Sequence, residues 1–240
     1  MEISPDGIIY WQSGWIKINA TIVFTWVVMA LLVLFSIYVS RKLTSDPKKI
    51  TRAQNILEIV VINVRNQIKE VSQQNPDRYL SFIGTLFIFI VVSNLLGVIP
   101  GFRPPTGSLS TTTALATCVF IAVPVFGIAS RGVLGYIKQY LSPSPVMLPF
   151  NIIGDFSRTL ALAVRLFGNV MSGTMLVAIL LAIIPFVFPI IMQAFGMLTG
   201  FIQAYIFAVL AMVYIASATS VQEKKIEQVD AGKDKKDLKE

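Results

Sequence analysis

Four runs of this chain contain no Asp, Glu, Lys or Arg: residues 18–39, 79–102, 104–130 and 166–222. A helix needs about 20 apolar residues to cross a bilayer, so each run is long enough for one pass. The last run is long enough for two, and Pro185 and Pro189 mark where it would fold back. Of the 240 residues, 55% are hydrophobic and only 14% charged, against about a quarter charged in an ordinary soluble domain. The expectation is an all-α membrane protein, a single transmembrane domain over residues 1–240 with about five membrane passes. The first residues lack a basic run followed by a short apolar core and a small-residue cleavage site, so no removable signal peptide is expected.

The net charge of +7 does not point to nucleic acid, because the basic residues fall in short segments between apolar runs. With the N-terminus outside and five passes, the inside segments 40–78, 131–148 and 222–240 hold 8, 2 and 6 Lys plus Arg, which is 16 of the 20. Only Lys17 and Arg103 fall outside. By the positive-inside rule this asymmetry orients the chain with its C-terminus in the cytoplasm. Histidine is absent, which removes the usual proton shuttle and most transition-metal sites. No metal and no cofactor are expected. The single cysteine, Cys118, lies in an apolar run and is expected to pack.

Along the chain, residues 1–17 form an external lead-in whose Tyr10, Trp11 and Trp15 suit the headgroup level. A first helix spans about 19–40. The inner-side segment 46–78 is polar but carries Ile56, Ile59, Val60, Val64 and Ile68 at three-and-four spacing. That gives one apolar face, as in an interfacial amphipathic helix or a helix packed on another subunit. A second helix spans about 80–99 and ends in a Pro- and Gly-rich loop. The hydroxyls of Ser108, Ser110 and Thr111 to Thr113 then open a third helix, as caps by default or as the lining of a wet vestibule.

That helix ends near residue 129. Pro143, Pro145 and Pro149 give a rigid approach to the next segment, since proline is tolerated before a helix or in its first turn. No proline interrupts residues 150–184, which permits a helix about 50 Å long, too long to stand upright in an apolar core of about 30 Å. Residues 150–220 are therefore read as a long, tilted C-terminal helical hairpin. The tail 222–240 reads as solvated and mobile.

Within the membrane part the charged residues are Asp155, Arg158 and Arg165, all on the long helix. Asp155 and Arg158 are three apart and can form a structural pair on one helix face. Arg165 is different. Its neighbours on both sides are apolar, and Asp155 lies ten positions back, about 15 Å along the axis. Arginine does not give up its proton, and a charge at mid-bilayer costs at least about 2.5–3.5 kcal/mol. Snorkelling to the interface or binding a lipid phosphate would lower that cost, but the residue's depth argues against both. A carboxylate supplied by another chain accounts for it better. Gly168, Asn169, Ser172 and Gly173 follow, small enough to let a neighbouring helix approach closely. On the last helix Thr199, Gln203, Tyr214 and Ser217 share a narrow sector, a polar stripe that would make a wet seam with the Arg165 helix.

The sequence Arg165-Leu166-Phe167-Gly168-Asn169, followed by Gln203-Ala204-Tyr205-Ile206-Phe207, resembles subunit a of the F-type ATP synthases, a subunit of the membrane Fo sector. The likeness covers nearly the whole chain, including Ser93-Asn94-Leu95-Leu96-Gly97 and residues 149–155. It implies a non-catalytic stator subunit whose last two helices lie tilted against a rotating c-ring bearing ion-binding carboxylates. Arg165 matches the family's essential arginine, and Asn169 and Gln203 match its polar neighbours, with Ser172, Thr174, Thr199 and Tyr214 as further polar candidates. The implied partners are the c-ring, a peripheral stalk of subunit b type, the other ATP synthase subunits and the lipid bilayer. H+ or Na+ is the transported ion, and the membrane is a bacterial plasma membrane or a thylakoid.

Departures from the family pattern bear on the ion. Where relatives carry glutamate nine positions after the arginine this chain has Thr174. Where another often precedes the aspartate it has Gly154, and where some carry histidine it has Gly196. A channel wall of hydroxyl, amide and carbonyl oxygens suits a hard cation, which tilts the expectation to a divergent, sodium-type branch, with protons carried through water as the alternative. A stand-alone secondary ion transporter is the rival reading, but it would need its own coupling carboxylate and usually internal repeats. A membrane-bound enzyme would need more catalytic groups than Asp155 with Arg158.

Overall fold

The computed structural model describes residues 9–13, 16–41, 52–99, 101–141, 147–183 and 188–219. Six α-helices follow one another: α1 (Ala20–Arg41), α2 (Arg52–Ser72), α3 (Asp77–Leu96), α4 (Leu109–Leu141), α5 (Met147–Ile183) and α6 (Phe188–Thr219), with a 3-10 turn at Pro105–Gly107. Five of them, all but α2, are long and apolar enough to cross a membrane, so the architecture is the five-pass, all-α one that the charge-free runs dictate. The lead-in adds a small antiparallel hairpin, β1 (Ile9–Ser13) with β2 (Ile16–Asn19), which runs directly into α1. The tail 222–240 lies outside the described residues.

The middle of the bundle is α6. Its Ala204, Phe207, Ala208, Ala211, Met212 and Ile215 are buried, and it packs on α2, α3, α4 and α5. Alanine at these positions lets the neighbouring backbones come close, the way helices associate where lipid offers no hydrophobic drive. Tyr79, Ile83, Leu86 and Ile90 of α3 and Leu162 and Leu166 of α5 fill the other side of the core. By contrast α1 leaves most of its large side chains exposed.

Helix α2 packs on α3 and α6 of the same chain. Its apolar residues divide between two sides: Ile68 is buried and Val60 and Val64 half-buried, whereas Ile56 and Ile59 are exposed. Arg65 pairs with Asp77 at 3.0 Å, tying α2 to the start of α3.

Helix α4 runs past the expected stop near residue 129. Gly132 takes φ 74° inside it, a left-handed conformation that glycine adopts without cost, and the chain turns there. Tyr136 then folds back on Gly127, where a Cβ would stand 2.6 Å from the ring, so a side chain at 127 would displace that tyrosine. At the start of α4 the Ser110 N–H donates to Ser108 Oγ at 3.2 Å, an N-cap bond, and Ser108 and Thr112 are fully buried. Ser108 is thus the cap, while the Thr112 hydroxyl donates to Leu109 O at 3.1 Å. Cys118 is exposed on α4 rather than packed inside.

Candidate functional site

Helix α5 is unbroken for 37 residues, about 55 Å at 1.5 Å per residue, with Pro149 accommodated in its first turn. Its rotation is fixed by Leu162, Ala163 and Leu166, exposed by only 1%, 2% and 0%. The opposite face therefore carries Ala161, Val164, Arg165, Gly168 and Ser172, all exposed. Arg165 sits near the centre of the span Leu148–Ile183, about 25 Å along the axis from either end. On a soluble helix an outward arginine meets water. On this one it meets lipid or another protein. Among the described residues no carboxylate pairs with Arg165 and no hydrogen bond engages it.

One turn later Asn169 turns toward α6, donating its Nδ2 to the Thr199 carbonyl at 3.4 Å. Asn169, Thr174 and Thr199 line one cavity of about 180 Å³ together with Asn94, Gln193 and Gly196. The Thr199 hydroxyl itself donates to the backbone carbonyls of Phe195 and Gly196, each at 3.1 Å, and Thr174 Oγ1 donates to Met171 O at 2.9 Å. Thr174 and Gly196 thus line the same space.

Asn94 of α3 ties this cavity together. Its Nδ2 donates to the Gly200 carbonyl at 3.0 Å, and its Oδ1 accepts from the fully buried Thr106 hydroxyl at 2.7 Å. A Cβ at Gly200 would stand 3.1 Å from the Asn94 side chain, so glycine there lets the amide reach the backbone. Gln193 of α6 adds a bond from its Nε2 to the carbonyl of Val98, in the turn just past α3, at 2.9 Å. Residue types alone did not single out Asn94, Thr106 and Gln193, although Asn94 lies inside the Ser93-Asn94-Leu95-Leu96-Gly97 motif.

In the other direction along α5, Arg158 Nη1 lies 3.5 Å from Asp155 Oδ1, and its guanidinium carbon is 6.0 Å from the centre of the Tyr214 ring, within cation–π range. Asp155, Arg158, Thr159 and Tyr214 share a second cavity of about 290 Å³ with apolar residues of α4. Arg165 lies between the two cavities along the helix. The polar stripe of α6 is accordingly divided: Thr199 faces one cavity and Tyr214 the other, while Ser217 Oγ donates to Tyr214 O at 2.8 Å. Gln203 is 5% exposed and lines neither cavity, and its Nε2 is buried without a partner, as is the hydroxyl of Ser93. Ser172 also lines neither and shares the outward face of Arg165.

A sequence profile of the family described as ATP synthase A chain matches residues 22–216. The chain belongs to that family. It is 61% identical over 93% of its length to ATP synthase subunit a 2 of Acaryochloris marina, covering 95% of that protein. Identity is 60% to ATP synthase subunit a 2 of a Picosynechococcus species, with 94% of this chain and 96% of the relative covered. It is 58% to ATP synthase subunit a of Albidiferax ferrireducens, with 95% and 98% covered. The chain is thus a membrane-spanning, non-catalytic, ion-translocating subunit of the Fo sector, with other ATP synthase subunits as its partners and the catalytic sites in the F1 part.

Proposed function

We propose that this chain is the stator against which a c-ring turns, with Arg165 facing the ring's ion-binding carboxylates. The observation that carries the reading is a permanent cation at mid-span, on the outward face of α5, with no counter-charge among the described residues. A ring carboxylate entering a low-dielectric interface is stabilised in its ionised form by a fixed guanidinium, which also displaces the cation it carried. The cavities on either side of Arg165 serve as two offset half-channels, one holding Asn169, Thr174 and Thr199 and the other Tyr214 beside the structural pair of Asp155 and Arg158. The arginine between them blocks direct passage, so an ion crosses only by riding the ring. Each unit charge crossing supplies about 2.3 kcal/mol per 100 mV, so several ions per ATP are needed.

The excess of Lys and Arg in segments 40–78, 131–148 and 222–240 supports an outside N-terminus and a cytoplasmic C-terminus, in a bacterial plasma membrane or a thylakoid. A subunit b type stalk would hold the chain against the ring's drag. The transported ion is H+ or Na+, and the amides of Asn94, Asn169 and Gln193 with the hydroxyls of Thr174 and Thr199, set among apolar side chains in the cavity around Asn169, favour sodium, since such oxygens suit a hard cation.

Two experiments test this. Reconstituted alone in liposomes, the chain should move neither protons nor sodium, and ion-driven ATP synthesis should appear once the ring, stalk and head are added. Ion transport by the isolated chain would instead establish a self-sufficient transporter. For the ion, sodium should protect the ring carboxylate from carbodiimide labelling at neutral pH in the assembled enzyme, and absence of protection would leave protons as the coupling ion.

A further inference from the structure

The side-chain amides and hydroxyls in the cavity around Asn169 are those of Asn94, Asn169, Thr174, Gln193 and Thr199, and their hydrogen bonds share one sense. Asn94 Nδ2 donates to Gly200 O at 3.0 Å, Asn169 Nδ2 to Thr199 O at 3.4 Å and Gln193 Nε2 to Val98 O at 2.9 Å. Both hydroxyls donate as well, Thr174 to Met171 O at 2.9 Å and Thr199 to the carbonyls of Phe195 and Gly196, each at 3.1 Å. Every partner is a backbone carbonyl, which can only accept.

That pattern leaves the lining rich in acceptors. A hydroxyl has a single hydrogen, and here each is turned into its own helix, so its oxygen offers the cavity lone pairs. A carboxamide whose nitrogen is held on a backbone carbonyl keeps its oxygen on the opposite edge, where it can accept. Asn94 is the exception, because its Oδ1 already accepts from Thr106 at 2.7 Å. It holds the Gly200 carbonyl, next to the Thr199 carbonyl that Asn169 holds.

The chemistry of this set selects the ligand. Neutral oxygens replace part of the hydration shell of a hard monovalent cation. An anion would meet no charged donor among the described lining residues, and a divalent cation would meet none of the carboxylates that usually hold it. Neutral ligands also bind weakly, as suits an ion that must enter and leave again. By contrast, the second cavity contains the full charges of Asp155 and Arg158.

We propose that Asn169 Oδ1, Gln193 Oε1, Thr174 Oγ1 and Thr199 Oγ1 form a transit site for Na+, where the ion exchanges part of its water for protein oxygens before it meets the ring. The site rests on the half-channel reading of this cavity and adds to it a saturable binding step.

The test uses the assembled ATP synthase in liposomes with the head facing out, loaded with graded sodium concentrations and energised by a potassium diffusion potential. Thr174→Val and Thr199→Val each replace a ligand oxygen with a methyl group and remove only a bond within one helix. Each should raise the luminal sodium concentration for half-maximal ATP synthesis roughly tenfold, the factor that about 1.4 kcal/mol of lost attraction gives, with a smaller effect on the rate at saturating sodium. Thr174→Ser, which keeps the oxygen, should restore the original sodium dependence. Thr117→Val on α4 breaks the same kind of bond outside the cavity, to Thr113 O at 2.8 Å, and should shift nothing. An unshifted half-maximal concentration in both Thr174→Val and Thr199→Val, with sodium-dependent synthesis intact in the unaltered enzyme, would overturn the site and leave the half-channel reading standing. A lower rate at every sodium concentration without a shift would likewise overturn it and mark the two threonines as structural. Synthesis indifferent to sodium in the unaltered enzyme would overturn the site together with the preference for sodium.

Discussion

Arg158 and Arg165 lie two turns apart on one helix, and their surroundings differ completely. Arg158 has a carboxylate three residues away and the Tyr214 ring beside it. Arg165, deeper in the span, has apolar neighbours along the helix and no partner among the described residues. Three-residue spacing supplies a counter-charge without help from any other chain. Leaving the deeper cation without one is costly in isolation, and it becomes economical only when a neighbouring protein brings the negative charge. On the proposed function the first arginine is structural in kind, and the second faces the ring.

The sharpest way to break this contrast is to give Arg165 what Arg158 has. Ala161 is exposed one turn before Arg165 on the same face, so Ala161→Asp would create an intramolecular pair. Ion-driven ATP synthesis in membrane vesicles should fall more than about tenfold, equivalent to roughly 1.4 kcal/mol in barrier height. Unchanged synthesis would mean that the free charge is not what matters. Arg165→Lys keeps the charge but loses the planar fork that meets a carboxylate with two hydrogen bonds. Its synthesis rate should also drop, by less than in the aspartate variant, and the difference measures geometry against charge.

Effects shrink away from the interface. Asn94→Ala removes the acceptor of the buried Thr106 hydroxyl and the donor to Gly200 O, which should destabilise the chain by about 1–3 kcal/mol, read as a lower melting temperature of the purified complex. Asp155→Asn breaks an ion pair whose Arg158 side chain is 57% exposed. Pairs of that kind contribute about 0.2–1 kcal/mol, so coupling should stay within about fivefold of the unaltered enzyme. A loss as large as at Ala161 would erase the distinction between the two arginines.

The parts of this arrangement legible in the sequence are the ones written locally. Charge-free runs set the spans, the absence of proline over 150–184 gave α5 its length, and three-residue spacing placed Asp155 by Arg158. Arg165 stood out because a charge in an apolar run is expensive wherever the run packs. Contacts between distant segments left no such trace. Asn94 reaches Gly200 across 106 positions, and although Asn94 lies in the Ser93-Asn94-Leu95-Leu96-Gly97 motif, nothing there reveals that contact. Tyr205 meets Gln67 across 138 positions for reasons of three-helix packing alone. The break at Gly132 was equally silent, since a glycine in a helix-like run reads as tolerated until its φ is known.

The most direct test compares ion-driven ATP synthesis in vesicles carrying Arg165→Ala with that in vesicles carrying Arg158→Ala, alongside ATP hydrolysis by the detached head. Synthesis should fall to background in the first and persist in the second, with hydrolysis by the head the same in both. Sustained synthesis with alanine at 165 would contradict a role for that guanidinium in carrying ring carboxylates past the stator.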